Sequence, residues 1–296
     1  MRTILTISKI ALTSLFLSCG QLNNNSEGSA MVPDTLTTKL CQQEMERMEK
    51  RQQIEEQAKR DSLAFDEVLD KALAIATQNF RKNSFFYTKY EVEREGIPTT
   101  VEIILKDHFT KNIPHLIIRR IDPSSIYAAI YSLKGDKFEK VMSHDQWAME
   151  YMSDTIRDIN GDGLKDFIVN WYGVNGCCLK AFSNIYLLRP DKNNFSNSFT
   201  FINPTFSPKE RIIRGICYGH LGDTEMYKYK WSGEKIDTLE YVSYEKNEEG
   251  VKTGKVIVST DLPYLRTSKI KRVLKTVPPE YQTIEGYSWF TGIGYN

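Results

Sequence analysis

From Asp34 to Asn83 the chain has no glycine and no proline. Nothing in that stretch starts a tight turn or breaks a helix, which excludes a series of short strands there. Charge of one sign is also missing: 39 Lys+Arg face 38 Asp+Glu, a net +1. A dedicated nucleic-acid binder carries a basic surplus, so that class is excluded. Histidine is scarce at four residues, and none falls in an HExxH pattern. No GxSxG, no P-loop and no GxGxxG ahead of a helix occurs, so the common hydrolase and nucleotide-binding signatures are absent. No apolar run reaches the ~20 residues a membrane-crossing helix needs. What is present is ordinary in bulk: 296 residues, 41% apolar and 26% charged. That is a globular composition, long enough for a sizeable core in one large domain or two smaller ones.

The first residues read as an address. Arg2 and Lys9 supply positive charge, Ile10 to Leu17 an apolar stretch, and Ser18-Cys19 close it, the layout of a secretory signal peptide over 1–18. The run Phe16-Leu17-Ser18-Cys19 resembles the lipobox of bacterial lipoproteins, with Phe16 where that motif most often has Leu. The resemblance implies cleavage before Cys19 and acylation of that cysteine, and several acyl chains anchor stably where one does not. Residues 19–33 then form a lipid-anchored polar tether. Gly20 stands where enterobacterial lipoproteins retained in the inner membrane carry Asp, so the expected place is the cell envelope, at the outer membrane rather than the inner. Without residues 1–18 the side-chain balance is 37 basic to 38 acidic. That near-neutrality says nothing about the partner.

Composition changes sharply near residue 83. All 16 Tyr and all four Trp lie beyond residue 86, and 15 of 17 Gly lie beyond residue 95. The stretch 34–83 predicts a long charged helix, with Asp34 or Thr35 as N-cap after Pro33. Glu46–Lys50, Glu55–Lys59, Glu56–Arg60 and Glu67–Lys71 stand in the favoured i,i+4 order. Up to residue 60 the apolar positions Met45, Met48, Ile54 and Ala58 do not sustain a heptad, so this half reads as a spacer or a dimerising stalk. From Phe65 through Leu69, Ala72, Leu73, Ala76 and Phe80 a proper apolar stripe predicts docking on the β-rich remainder of the chain.

Residues 84–296 switch to period two. Val101, Ile103 and Leu105 alternate with Glu102 and Lys106; Tyr227, Tyr229 and Trp231 alternate with Lys228 and Lys230. Gly135-Asp136 and Ser232 to Lys235 read as turns. The expected class is mainly β: an antiparallel β domain, sandwich or irregular barrel, preceded by the long helix.

One motif carries a mechanism. Asp158-Ile-Asn160-Gly-Asp162-Gly163-Leu164-Lys-Asp166 offers oxygen ligands at positions 1, 3 and 5, a glycine at 6 and a backbone carbonyl at 7, a set suited to a hard cation. An EF-hand needs Glu at position 12, where this chain has Val169; Asp166 stands at position 9 instead. The run resembles the calcium loop of integrin-α and FG-GAP repeats. The resemblance implies structural Ca2+ held by Asp158, Asn160, Asp162, the Leu164 carbonyl and Asp166. Those families repeat the loop around a propeller, whereas here it occurs once. In layout the chain is also similar to periplasmic proteins of the invertebrate-type lysozyme-inhibitor kind.

Besides Cys19 there are Cys41, Cys177, Cys178 and Cys217. An exported chain permits disulfides. Neighbouring Cys177 and Cys178 have Cα atoms ~3.8 Å apart, below the usual disulfide range, so Cys217 paired with either one is expected. Cys41 is free or joins two molecules. The absence of paired CxxC spacing argues against zinc. The segment Gly219 to Glu225 combines glycines with His220, Asp223 and Glu225, weak candidates for a catalytic or recognition loop; Asp237 and Glu240 fall on opposite strand faces and do not form an acid–base pair.

The reading that results is an envelope lipoprotein. Its calcium-stabilised β domain acts as a binding module for a protein, such as a hydrolase to be inhibited, or for a glycan. The alternatives are an envelope hydrolase using Gly219–Glu225, and an assembly protein that oligomerises through its helix.

Overall fold

Period-two alternation between short turns builds a continuous meander. The computed structural model describes residues 34–80, 85–94 and 96–293, with side chains from Glu46 onward except 58, 59 and 62. The expected signal peptide, the tether and Cys19 lie outside the described residues, as does the side chain of Cys41.

Helix α1 (Asp34–Phe80) enters a compact unit that begins at Ala58. The first sheet contains β1 (Phe86–Arg94), β2 (Ile97–Thr110), β3 (Ile113–Ile121), β4 (Ser125–Lys134) and β5 (Lys137–Trp147), in that spatial order. The second contains β6 (Tyr151–Arg157), β7 (Asp166–Tyr172), β8 (Ala181–Tyr186) and β9 (Phe199–Ile202). The third runs β10 (Pro204–Ser207), β11 (Ile212–Ile216), β12 (Met226–Trp231), β13 (Ile236–Lys246), β14 (Lys252–Ser259) and β15 (Ile270–Leu274). Every neighbouring pair is antiparallel and adjacent in sequence. Gly135-Asp136 closes the β4–β5 hairpin in two residues, with Gly135 at φ +59°, the left-handed conformation such a turn requires.

None of the three sheets closes on itself among the described residues, so the barrel alternative is set aside. The fold also exceeds a two-sheet sandwich, because consecutive residues of one strand serve different cores. On β3, Leu116 and Ile118 pack with Val68, Ala72 and Ala76 of α1, while Ile117 packs toward the second sheet. On β7, Phe167 and Val169 face the first sheet while Ile168 faces the third. On β13, Tyr241 joins the core with the second sheet, and Val242 the core with Val277, Tyr281 and Phe290 of the C-terminal segment. The order of layers is helix, sheet, sheet, sheet and C-terminal cover. Each sheet is apolar on both faces.

Ionic contacts tie the layers at their margins. Arg119 of β3 holds Asp154 of β6 through two bonds of 2.8 and 2.6 Å and Glu102 of β2 at 2.7 Å. Arg120 donates to the Phe65 carbonyl at 2.8 Å and lies 3.5 Å over the Phe65 ring, fastening α1 to the sheet. Apolar burial and this one backbone-directed cation therefore dock the helix together.

His115 is fully buried between the rings of Phe109 and Phe195. Burial holds its pKa below the ordinary value; His108 and His144 are lowered for the same leading reason. A histidine kept neutral in the fold binds its proton first in the unfolded chain. Its contribution is therefore complete above the unfolded pKa of ~6.5 and is lost as pH falls from there toward the lower folded value. Between pH 7.5 and 5.5 the urea midpoint of His115→Gln should fall less, or rise more, than that of the parent, whose buried Asp166 titrates in the opposite sense. Equal changes in both proteins would disprove the assignment.

Candidate functional site

The β6–β7 hairpin carries the acidic loop. Asp158 accepts the N–H groups of Gly161 (2.7 Å) and Gly163 (2.9 Å), Asn160 that of Asp162 (3.0 Å), and Asp162 that of Leu164 (2.8 Å). Side-chain oxygens thus wrap the backbone into a tight coil, the local preference of Asn and Asp. Gly161 and Gly163 sit at φ +76° and +88°, and a Cβ on Gly161 would lie 2.1 Å from the Pro208 carbonyl oxygen. Glycine is required there by both backbone conformation and space.

Asp166 starts β7 and is fully buried. Its two carboxylate oxygens accept the N–H groups of Ile159 (3.0 Å) and Leu188 (2.9 Å). Burial pushes its pKa up to about 7 against the pull of those two donors, and the Asp162 and Asp158 carboxylates push the same way. Among the described residues no cation forms an ion pair with Asp158, Asp162 or Asp166. Each carboxylate oxygen retains a second lone pair. Asp158, Asp162 and Asp166 thus stand on one coil without an ion-paired basic partner among the described residues, and their carboxylates accept backbone N–H groups.

The same hairpin frames a groove of about 540 Å³. β6 contributes Ser153 and Arg157, β7 Asn170 and Trp171, and β8 Phe182 and Ser183. Trp171 and Phe182 are cross-strand partners, their rings stacked at 4.1 Å and 13°. The Trp171 Nε1–H donates to Asn184 at 2.5 Å, which orients the indole. In the next register, Ser183 donates to Asn170 at 2.8 Å, and Asn170 donates to Ser153 at 3.3 Å. The groove therefore joins an aromatic pair to a row of amides and hydroxyls.

The cysteines depart from expectation. Cys177, Cys178 and Cys217 are all free thiols, so the expected bond from Cys217 to one of the pair is not formed. Backbone alternation is the reason. Cys217 turns into the core with Tyr227, Tyr229 and Tyr241, where burial first, and Glu225 second, push its thiol up to about 12. Its neighbour Tyr218 points the other way, and its hydroxyl meets Cys178. Of the Gly219–Glu225 candidates, Asp223 and Glu225 line one cavity, while the His220 ring meets a cysteine. Asp223 pairs with Lys246 at 2.6 Å, Glu225 lines cavities beside Tyr264, and His220 faces Cys177 at 3.9 Å.

No family model, no curated protein and no solved structure matches the chain. No helix among the described residues is long and apolar enough to cross a membrane. The aromatic groove was missed in the sequence because Trp171 and Phe182 become neighbours only through β7–β8 pairing. Cys177 and His220 likewise meet only through the fold. Adjacent cysteines were the one local signal.

Proposed function

We propose that this chain is an envelope lipoprotein, anchored through Cys19, whose calcium-stabilised β domain binds a polar ligand in the groove of the second sheet. One observation carries the reading: the strands that border the groove, β6 and β7, are joined by the acidic coil Asp158–Asp166. Ca2+ held by Asp158, Asn160, Asp162, the Leu164 carbonyl and Asp166 would cross-link the base of that hairpin. The Trp171–Phe182 pair would then be presented at a fixed spacing.

Stacked rings offer apolar area, Asn170, Ser153 and Ser183 offer uncharged hydrogen-bonding groups, and Arg157 and Glu285 add one charge of each sign to the lining. That mixture suits an uncharged, hydroxyl-rich ligand, and an envelope glycan is the ligand class proposed. The aromatic stack and uncharged amides of the groove, with no residue of the Gly219–Glu225 loop in its lining, favour binding over hydrolysis.

The full chain titrated calorimetrically with soluble glycan fragments of the envelope should bind them, and Trp171→Ala should weaken binding ~10-fold or more, the loss of about 1.4 kcal/mol. Chelation of calcium should weaken it as well. Fragments bound equally by parent and Trp171→Ala would place recognition elsewhere; capture of a protein with no glycan affinity would reject the ligand class. In cells, Cys19→Ser should move the protein from the membrane to the soluble fraction, and unchanged retention would remove the anchor from the reading.

A further inference from the structure

Two adjacent thiols and one imidazole from distant parts of the chain meet beside the β11–β12 connection. Cys177 is exposed and Cys178 is 5% exposed, and both lie in the segment between β7 and β8. His220 comes from the other side, with its Nδ1 3.9 Å from Cys177 Sγ. One donor atom from each of the three residues lies within 4.8 Å of the other two. A sulfur and a nitrogen bound to one metal at ~2.3 and ~2.0 Å are ~3.7 Å apart in a trigonal plane. The observed separation is already near that edge length.

The surroundings hold these donors in place. The Trp289 Nε1–H donates to the Gly219 carbonyl at 3.0 Å, and the Gly222 N–H donates to the Trp289 carbonyl at 2.7 Å. The Asp223 N–H closes the turn on the His220 carbonyl at 2.9 Å. His220 is thereby carried on a loop bonded at both ends to the C-terminal helix α2 (Tyr287–Thr291). On the opposite side the Tyr218 hydroxyl lies beside Cys178. The Lys180 ammonium lies over the Tyr218 ring at 5.5 Å and against Gly176, next to Cys177.

We propose that Cys177, Cys178 and His220 form a binding site for one thiophilic d10 cation, Cu+ or Zn2+. Two thiolates and an imidazole select soft metals over the oxygen-seeking cations suited to the Asp158–Asp166 coil. Three donors complete a trigonal Cu+ site, whereas Zn2+ would take solvent as its fourth ligand. Each thiol releases its proton to solvent as it binds, and His220 ligates neutral through Nδ1. The site shares no residue with the lining of the groove or with the acidic coil.

The test uses the full chain in detergent, reduced and without oxygen, titrated with Cu+ or Zn2+ against a chromophoric chelator. One equivalent of at least one metal should bind. Cys177→Ser and Cys178→Ser should each weaken it ~100-fold and His220→Ala ~10-fold or more, as removal of a direct ligand does. Cys41→Ser should change nothing. Thermal melts of each variant show whether it remains folded, and a variant that unfolds is replaced by Cys177→Ala or His220→Gln. Failure to bind either metal overturns the proposal. So does uptake that survives loss of both Cys177 and Cys178, ignores His220, or moves with Cys41.

Discussion

Calcium should raise the melting temperature of this protein by ~5–10 °C. At a hundredfold excess over its dissociation constant, a ligand that binds only the folded state adds ~2.7 kcal/mol, and each kcal/mol moves the midpoint of a unit this large by ~2–4 °C. The loop predicts that gain because Asp158, Asp162 and buried Asp166 gather charge with no ion-paired cation among the described residues. Magnesium should do much less, since it demands smaller octahedral geometry and gives up water reluctantly. Asp162→Asn keeps an oxygen for the Leu164 N–H but removes a charge, so calcium affinity should fall ~10-fold, about 1.4 kcal/mol. Melting curves with and without calcium check this. Superimposable curves for the parent would rule out the proposed ion.

Phe167→Ala should be the most damaging single substitution in the middle sheet. Phe167 is fully buried on β7, packed among Ile117, Ile130 and Tyr186, while its neighbour Ile168 serves the next core. Truncating a buried Phe costs ~3–5 kcal/mol through lost transfer energy and an unfilled cavity. For a unit of this size that cost lowers the melting temperature by ~10 °C. Met152→Ala, at a side chain 63% exposed on β6, should stay within ~0.5 kcal/mol of the parent. Chemical denaturation of both variants measures the contrast. A Phe167→Ala protein as stable as the parent would contradict the layered core.

Both predictions depend on β7, and β7 illustrates what was legible. The run Phe167-Ile-Val announced a strand because three apolar residues come directly after a polar coil. The Gly135-Asp136 and Ser232–Lys235 turns were readable for the same local reason: turn chemistry sits within a few residues of the effect it has. Ala72 and Ala76 marked the docking face of α1 through helical spacing, although the grip of Arg120 on Phe65 was not visible there. The order of residues in the Asp158–Asp166 coil was also legible, since its contacts are short-range.

By itself, then, the sequence determined the mainly antiparallel β character, the turns that order the strands, and the residues of the acidic coil. Only the tertiary structure decided that the strands form three stacked sheets and no closed barrel. A strand's alternation states that its two faces differ or agree, but not which other strand covers each face. Tertiary contact also decided that Cys217 turns inward among tyrosines while Tyr218 meets Cys178, because one residue of strand phase separates the two outcomes. It brought His220 to Cys177 across forty-three positions. It also stacked Trp171 on Phe182 through β7–β8 register. Each of these pairings is set by hydrogen bonding between distant segments, a constraint that no local pattern of residues contains.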